Sequence, residues 1–173
     1  MAARTETFDL GSLKLTSGEG AHADLAVPLD ELKFGEQAYR VPAGEAEARL
    51  DVSRTTGNGY SMRLRFDVAL EGPCMRCLGD AGAEVVVDAR EVDQPGAGDE
   101  DLRSPYFDEG HVDLRAWARD ALALALPTQI ICAEDCRGLC PDCGQNLNED
   151  PGHEHEREPD PRWAKLSELE LDR

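Results

Sequence analysis

In the stretch Tyr60-Ser-Met-Arg-Leu-Arg-Phe-Asp-Val-Ala-Leu70, the apolar residues Met62, Leu64, Phe66, Val68 and Leu70 alternate with Arg63, Arg65 and Asp67. A period of two places the first set on one face of a strand and the charges on the other, the mark of a sheet that is buried on one side and wet on the other. Upstream, Ala48, Leu50 and Val52 keep the same alternation, and Arg54-Thr-Thr-Gly-Asn-Gly59 supplies a turn, so the two runs form a β-hairpin. Downstream, the strand delivers the chain to Pro73-Cys74-Met-Arg-Cys77, and Ala83-Glu-Val-Val-Val-Asp-Ala-Arg-Glu-Val92 returns as a third strand. A cysteine pair therefore sits at a hairpin tip.

Working outward, Phe8–Leu15 and Leu25–Leu29 read as short strands interrupted by glycine and proline. Asp93 to Glu109 is rich in Asp, Glu, Gly and Pro and is expected to be a mobile acidic loop. Asp113 can cap a helix that runs to about Leu126, where Pro127 ends it. Leu114, Trp117, Ala118, Ala121, Leu122 and Ala125 form its apolar stripe, which makes Trp117 a core residue. Leu124 and Leu126 lie off that stripe, so the helix is expected to be well covered.

The expected fold class is α+β: an antiparallel, hairpin-rich β-sheet packed with one main amphipathic helix, plus a C-terminal cysteine-rich zinc-knuckle segment. Residues 1–127 are expected to form the sheet domain, with the cysteine pair at its hairpin tip and the acidic loop 93–109. Residues 128–173 form a Cys/His-rich metal-binding tail, closed by a short amphipathic helix from Arg162 that carries Trp163, Leu166 and Leu169.

The tail contains Cys140-Pro-Asp-Cys143-Gly144. Two thiolates separated by two residues reach one tetrahedral ion, and the glycine relieves the tight turn this requires. That is half a site. The other donors on offer are Cys74 and Cys77, Cys132 and Cys136, and the imidazoles of His153 and His155. Together these eight ligands suffice for one or two structural zinc ions. The short loop from Cys143 to His153 favours a local Cys140, Cys143, His153, His155 site. The competing arrangement joins Cys140 and Cys143 to Cys74 and Cys77.

With 173 residues, 40% of them apolar and 5% aromatic, the chain has material for one domain with a thin core. It shows no secretory signal and no apolar run of membrane-spanning length, so no membrane partner is expected. Six cysteines in such a context indicate a reducing compartment, and the expected location is cytoplasmic. The net charge is −18, and acidic residues exceed basic ones in every third of the chain. Such a surface repels a phosphate backbone and suits a basic protein partner. Arg76, Arg137, Arg157 and Arg162 flank the metal motifs and are the candidate contacts to RNA or a partner, as a small basic spot on an acidic body.

The order of these pieces resembles the YceD family, the large ribosomal RNA subunit accumulation proteins of bacteria and plastids. The likeness rests on Cys74-Met-Arg-Cys77 after a strand, the helix Asp113 to Pro127, the run Cys132-Ala-Glu-Asp-Cys136-Arg-Gly-Leu-Cys140-Pro-Asp-Cys143-Gly-Gln-Asn-Leu-Asn148, and Asp160-Pro-Arg-Trp-Ala-Lys-Leu166. Many relatives place Cys-x-Cys shortly before Asp-Pro-Arg; here the place is taken by His153-Glu-His155, which keeps zinc competence. The resemblance implies a non-enzymatic factor acting in the synthesis, processing or stability of large-subunit ribosomal RNA, with a ribosomal protein or the pre-ribosomal large subunit as partner and no small-molecule substrate.

Other classes fit the residues less well. A thiol oxidoreductase needs its first cysteine at a helix N-terminus, and Leu78-Gly-Asp-Ala-Gly82 after Cys77 has little helix signal. A zinc hydrolase needs an open coordination position, and ligands here are plentiful. Direct binding of large-subunit ribosomal RNA by a zinc protein is the remaining alternative, through the four arginines above.

Overall fold

The computed structural model describes residues 3–96 and 102–155. Its centre is a five-stranded sheet built from β1 (Ala3–Arg4), β3 (Gly20–Pro28), β6 (Glu45–Arg54), β7 (Tyr60–Pro73) and β8 (Asp80–Asp93), in the spatial order β1-β3-β6-β7-β8. All neighbours are antiparallel except β1, which runs parallel to β3. β7 and β8 pair residue for residue from Tyr60 opposite Asp93 to Pro73 opposite Asp80, leaving Cys74–Gly79 as the hairpin tip.

The alternation in sequence becomes the two faces of this sheet. Ala46, Ala48, Leu50 and Val52 of β6, Met62, Leu64, Phe66, Val68 and Leu70 of β7, and Val85 and Val87 of β8 are all buried. The opposite face is wet and laced by ion pairs. Arg63 forms a fork on Asp88, while Arg65 and Arg49 both reach Asp51. Closing the buried face is α1 (Leu114–Ala125), whose first turn is capped by Asp113 Oδ1 accepting from the Ala116 amide at 2.9 Å. Leu114, Trp117, Ala118, Ala121 and Leu122 are its buried side chains.

Smaller elements surround this core. β2 (Thr7–Asp9), β10 (His111–Asp113) and β9 (Phe107–Asp108) form a three-stranded sheet, and β4 (Leu32–Phe34) and β5 (Gln37–Tyr39) a two-stranded one. Tyr39 is fully buried, and its hydroxyl donates to the Pro73 carbonyl at 2.8 Å, at the base of the hairpin tip. Gly72 is needed beside it, because a Cβ there would lie 2.3 Å from the Tyr39 ring.

Four expectations need correction. Phe8–Leu15 is a strand only to Asp9; Asp9 then accepts from the Gly11 amide and starts a 3-10 turn over Leu10–Leu13. β3 begins at Gly20 rather than near Leu25, because pairing with β6 carries a segment whose only apolar side chains are the small methyls of Ala21 and Ala23. The acidic segment is tied to the body at both described ends: Asp93 is buried and accepts from Arg103, Tyr106 stacks on Trp117, and Phe107 opens β9. The helix is not fully covered, since Leu124 is 89% exposed. The helix expected from Arg162 lies outside the described residues.

Candidate metal centres

The hairpin tip is a tight knuckle. The Cys74 amide donates to the Gly79 carbonyl at 2.6 Å and the Leu78 amide to the Cys74 carbonyl at 3.0 Å, with Leu78 in a left-handed conformation (φ 61°). Cys140–Gln145 repeats it. The Cys140 amide donates to the Gln145 carbonyl at 2.8 Å and the Gly144 amide to the Cys140 carbonyl at 2.8 Å, with Gly144 at φ 77°. Both knuckles thus turn their paired cysteines the same way, but one uses leucine where the other uses the expected glycine.

The chain after α1 then passes beside the hairpin tip. The Met75 amide donates to the Ile130 carbonyl at 2.9 Å, and Ile130 itself is buried in the main core. This contact sets Cys132 and Cys136 against Cys74 and Cys77. Cys77 Sγ lies 3.6 Å from Cys132 Sγ, and Cys74 Sγ 3.8 Å from Cys136 Sγ, with all six cysteines free of disulfides. The edge of a tetrahedron with metal–sulfur bonds of about 2.3 Å is about 3.8 Å, so this spacing fits one four-coordinate ion.

Cys140, Cys143, His153 and His155 gather into a second group, each group having its ligand atoms within 4.8 Å of one another. Nε2 of His153 and of His155 lie 3.1 and 3.2 Å from Cys143 Sγ. Both imidazoles face the same point, and their rings meet edge to face at 4.6 Å. The two groups differ in access. Cys74, Cys77 and Cys136 are buried, whereas Cys143 and His155 are exposed. The structure does not join Cys140 and Cys143 to Cys74 and Cys77; the tip meets Cys132 and Cys136 instead, with the Met75–Ile130 contact holding that pair alongside.

The electrostatics of the first group require a cation for four thiolates to coexist. Burial opposes ionisation of Cys74, but the amides of Cys77, Arg76 and Cys132 donate to its sulfur and bring it down to about 6. The Cys132 thiol donates to the sulfurs of Cys136 and Cys77, which holds it protonated and, reinforced by burial, pushes it up to about 12. A divalent ion at the centre removes that conflict, because a coordinated thiol is deprotonated outright. In the second group the Cys140 thiol is lowered, first by the Asp142 amide and, against burial, by that of Cys143.

Two of the nominated arginines serve this architecture. Arg76 Nη1 donates to the Cys136 carbonyl at 3.1 Å, and its Nε and Nη2 reach Gln129 Oε1. Arg137 Nη1 donates to the Pro151 carbonyl at 3.0 Å. Arg157 and Arg162 lie outside the described residues. Sequence reasoning missed Asn148, whose side chain accepts from the Arg137 amide at 2.8 Å and donates to Cys136 Sγ at 3.5 Å, tying the loop between Cys143 and His153 to the first group. It also missed the reason for Gly138, which sits at φ 78° where a Cβ would come within 3.0 Å of the Arg76 carbonyl oxygen.

An uncharacterized protein of Mycobacterium tuberculosis (strain ATCC 25618 / H37Rv) is 41% identical over 104 residues, 57% of this chain and 49% of the relative. An uncharacterized protein of Mycobacterium leprae (strain TN) is 44% identical over 61 residues, 35% of this chain and 28% of the relative. The large ribosomal RNA subunit accumulation protein YCED homolog 1, chloroplastic, of Zea mays is 33% identical over 93 residues, 51% of this chain and 31% of the relative. The chain thus spans about half the length, or less, of the curated relatives it matches. No solved structure matches it. The family model of the large ribosomal RNA subunit accumulation protein YceD matches residues 62–170, a span that begins in β7 and takes in both cysteine groups, and the chain belongs to that family.

Proposed function

We propose that this protein is a non-enzymatic factor that supports the accumulation of large-subunit ribosomal RNA, and that its two ligand groups are structural zinc sites. The observation that carries the reading is the family match across residues 62–170, which includes all eight candidate ligands. Zinc suits the donors: four sulfurs in one group and two sulfurs with two imidazoles in the other, sets that hard oxygen-seeking ions do not use. When bound, such an ion supplies cross-linking only. Each group offers four protein donors, which leaves no position for a reacting water. The chain itself does the rest, through the knuckle amides, Asn148 and the arginine contacts to backbone carbonyls that hold the donors in place.

A basic ribosomal protein, alone or within the pre-ribosomal large subunit, is the partner that a net charge of −18 favours. Direct contact to RNA through Arg76 and Arg137 is less favoured, since both guanidinium groups already donate to carbonyls beside the clusters. The test is depletion of the chain from its host. Large-subunit ribosomal RNA should fall relative to small-subunit RNA and recover with the wild-type chain, whereas an unchanged ratio would refute the reading. A pull-down with and without ribonuclease then separates a protein partner from RNA.

A further inference from the structure

Strand β8 lies at one edge of the five-stranded sheet. β7 covers its inner side from Asp80 to Asp93, and among the described residues no backbone group pairs with its outer side. Edge strands are ordinarily guarded by proline, by a bulge or by charged side chains, lysine above all, and the only guard on β8 is its charges, Asp80, Glu84, Asp88, Arg90, Glu91 and Asp93. β8 contains no proline or lysine, and its register with β7 runs without a bulge, so those charges decide what can pair with it. Apolar surface follows the same edge. Val86 is 72% exposed above it, and below it a groove of about 470 Å³ between β8 and α1 is floored by Trp117 and Ala121 and opens at Leu124.

The charges along this edge are self-complementary. Glu84 and Arg90 stand on the wet face of β8, and neither forms an ion pair among the described residues. Arg90 lies opposite Arg63 on β7, and Arg63 is itself held by Asp88. We propose that β8 pairs antiparallel with β8 of a second copy, about a two-fold axis through Val87, joining two sheets into one. A two-fold axis must set a residue opposite its own copy, which keeps side chains on their faces. Centred on Val87, Ala81–Asp93 lies opposite Asp93–Ala81, and Glu84 meets Arg90 of the second copy twice. Centred on Val86, Glu84 would oppose Asp88 twice; centred on Asp88, that carboxylate would oppose itself. Like charges directly opposite are destabilising. The Val87 register avoids both and sets the two apolar grooves against each other.

Two bodies of net charge −18 repel at long range, so the dimer forms at physiological salt and dissociates at low salt. The experiment is sedimentation velocity of the metal-loaded full chain at about 0.15 M salt, where the screening length is about 8 Å, with reductant present to exclude chance disulfides. The wild type should sediment as a dimer. E84R and R90E should each raise the dissociation constant at least about tenfold, and E84R/R90E should restore it. A wild type that stays monomeric at about 100 μM, weaker than a specific interface allows, would overturn the proposal; that includes the outcome in which only a basic peptide from another protein binds the edge. A dimer indifferent to both single swaps overturns it equally.

Discussion

The amide of Met75 donates to the carbonyl of Ile130 at 2.9 Å, joining the hairpin tip to the chain that leaves the helix. Ile130 is 1% exposed in the main core, while Cys132, two residues on, belongs to the four-sulfur group. Packing and metal competence therefore meet in one short segment. Ile130→Ala should destabilise the fold by about 2–4 kcal/mol in urea titrations and lower the metal content of the four-sulfur group while leaving the Cys140 group loaded. A loss of stability with full metal retention in both groups would separate the two roles.

Metal stoichiometry should respond to each group independently. Purified under reducing conditions, the protein is expected to carry zinc in both groups, with Cys77→Ser emptying one and Cys143→Ser the other. A chelator should strip the Cys143 group first, because Cys143 and His155 are exposed whereas Cys74, Cys77 and Cys136 are buried. Elemental analysis of each variant, timed after chelator addition, reads both results.

Leu78 is the position where glycine should improve on nature. It holds φ 61° at the turn that Gly144 occupies in the other knuckle, and it is 57% exposed, so little burial is lost on replacement. Left-handed backbone costs a side-chain-bearing residue about 1–2 kcal/mol, against about 0.5–1 kcal/mol of extra chain entropy for glycine. Leu78→Gly should raise the denaturation midpoint slightly. Gly144→Leu should lower it.

Asp51 makes an acid-side prediction. Burial pushes its carboxyl up, but hydrogen bonds from Arg65 and Arg49 outweigh this and hold it below the ordinary range. A depressed folded-state value means that the stabilisation is present above the unfolded value of about 3.9 and is lost as pH falls through the folded one. Asp51→Asn should cost about 0.5–1 kcal/mol near neutrality, modest because the pair is partly exposed. The difference from wild type should shrink in urea titrations as pH falls below the ordinary carboxylate range, and vanish once Asp51 is protonated in the folded state. A difference that stays constant with pH would show that the arginines do not act through its charge.

The parts of this fold that were legible in sequence are those where one rule acts alone. Met62 to Leu70 alternates strictly because β7 is central and buried on one face, and Asp113 with the stripe Leu114–Leu122 announces a capped helix. The gathering of Cys140 and Cys143 with His153 and His155 was legible because a short loop joins Cys143 to His153. β4 and β5 were not legible, since Leu32 and Tyr39 are buried through contacts distant in sequence such as Tyr39 to Pro73. The pairing of Cys74 and Cys77 with Cys132 and Cys136 was also hidden. It depends on Ile130 settling in a core built by residues far upstream, a tertiary fact with no local spacing to betray it.

The sulfurs of Cys77 and Cys132 lie 3.6 Å apart across 55 positions of chain, and that interval holds β8, β9, β10 and α1. Synthesis runs in one direction, and folding units complete as they emerge. β3, β6 and β7 are available long before Cys136 leaves the ribosome, so the four-sulfur junction can close only after the helix has been made. A product that stops inside α1 would carry a formed hairpin tip with two thiols lacking their counterparts, and thiol-reactive labelling of Cys74 and Cys77 would distinguish unfinished from finished molecules.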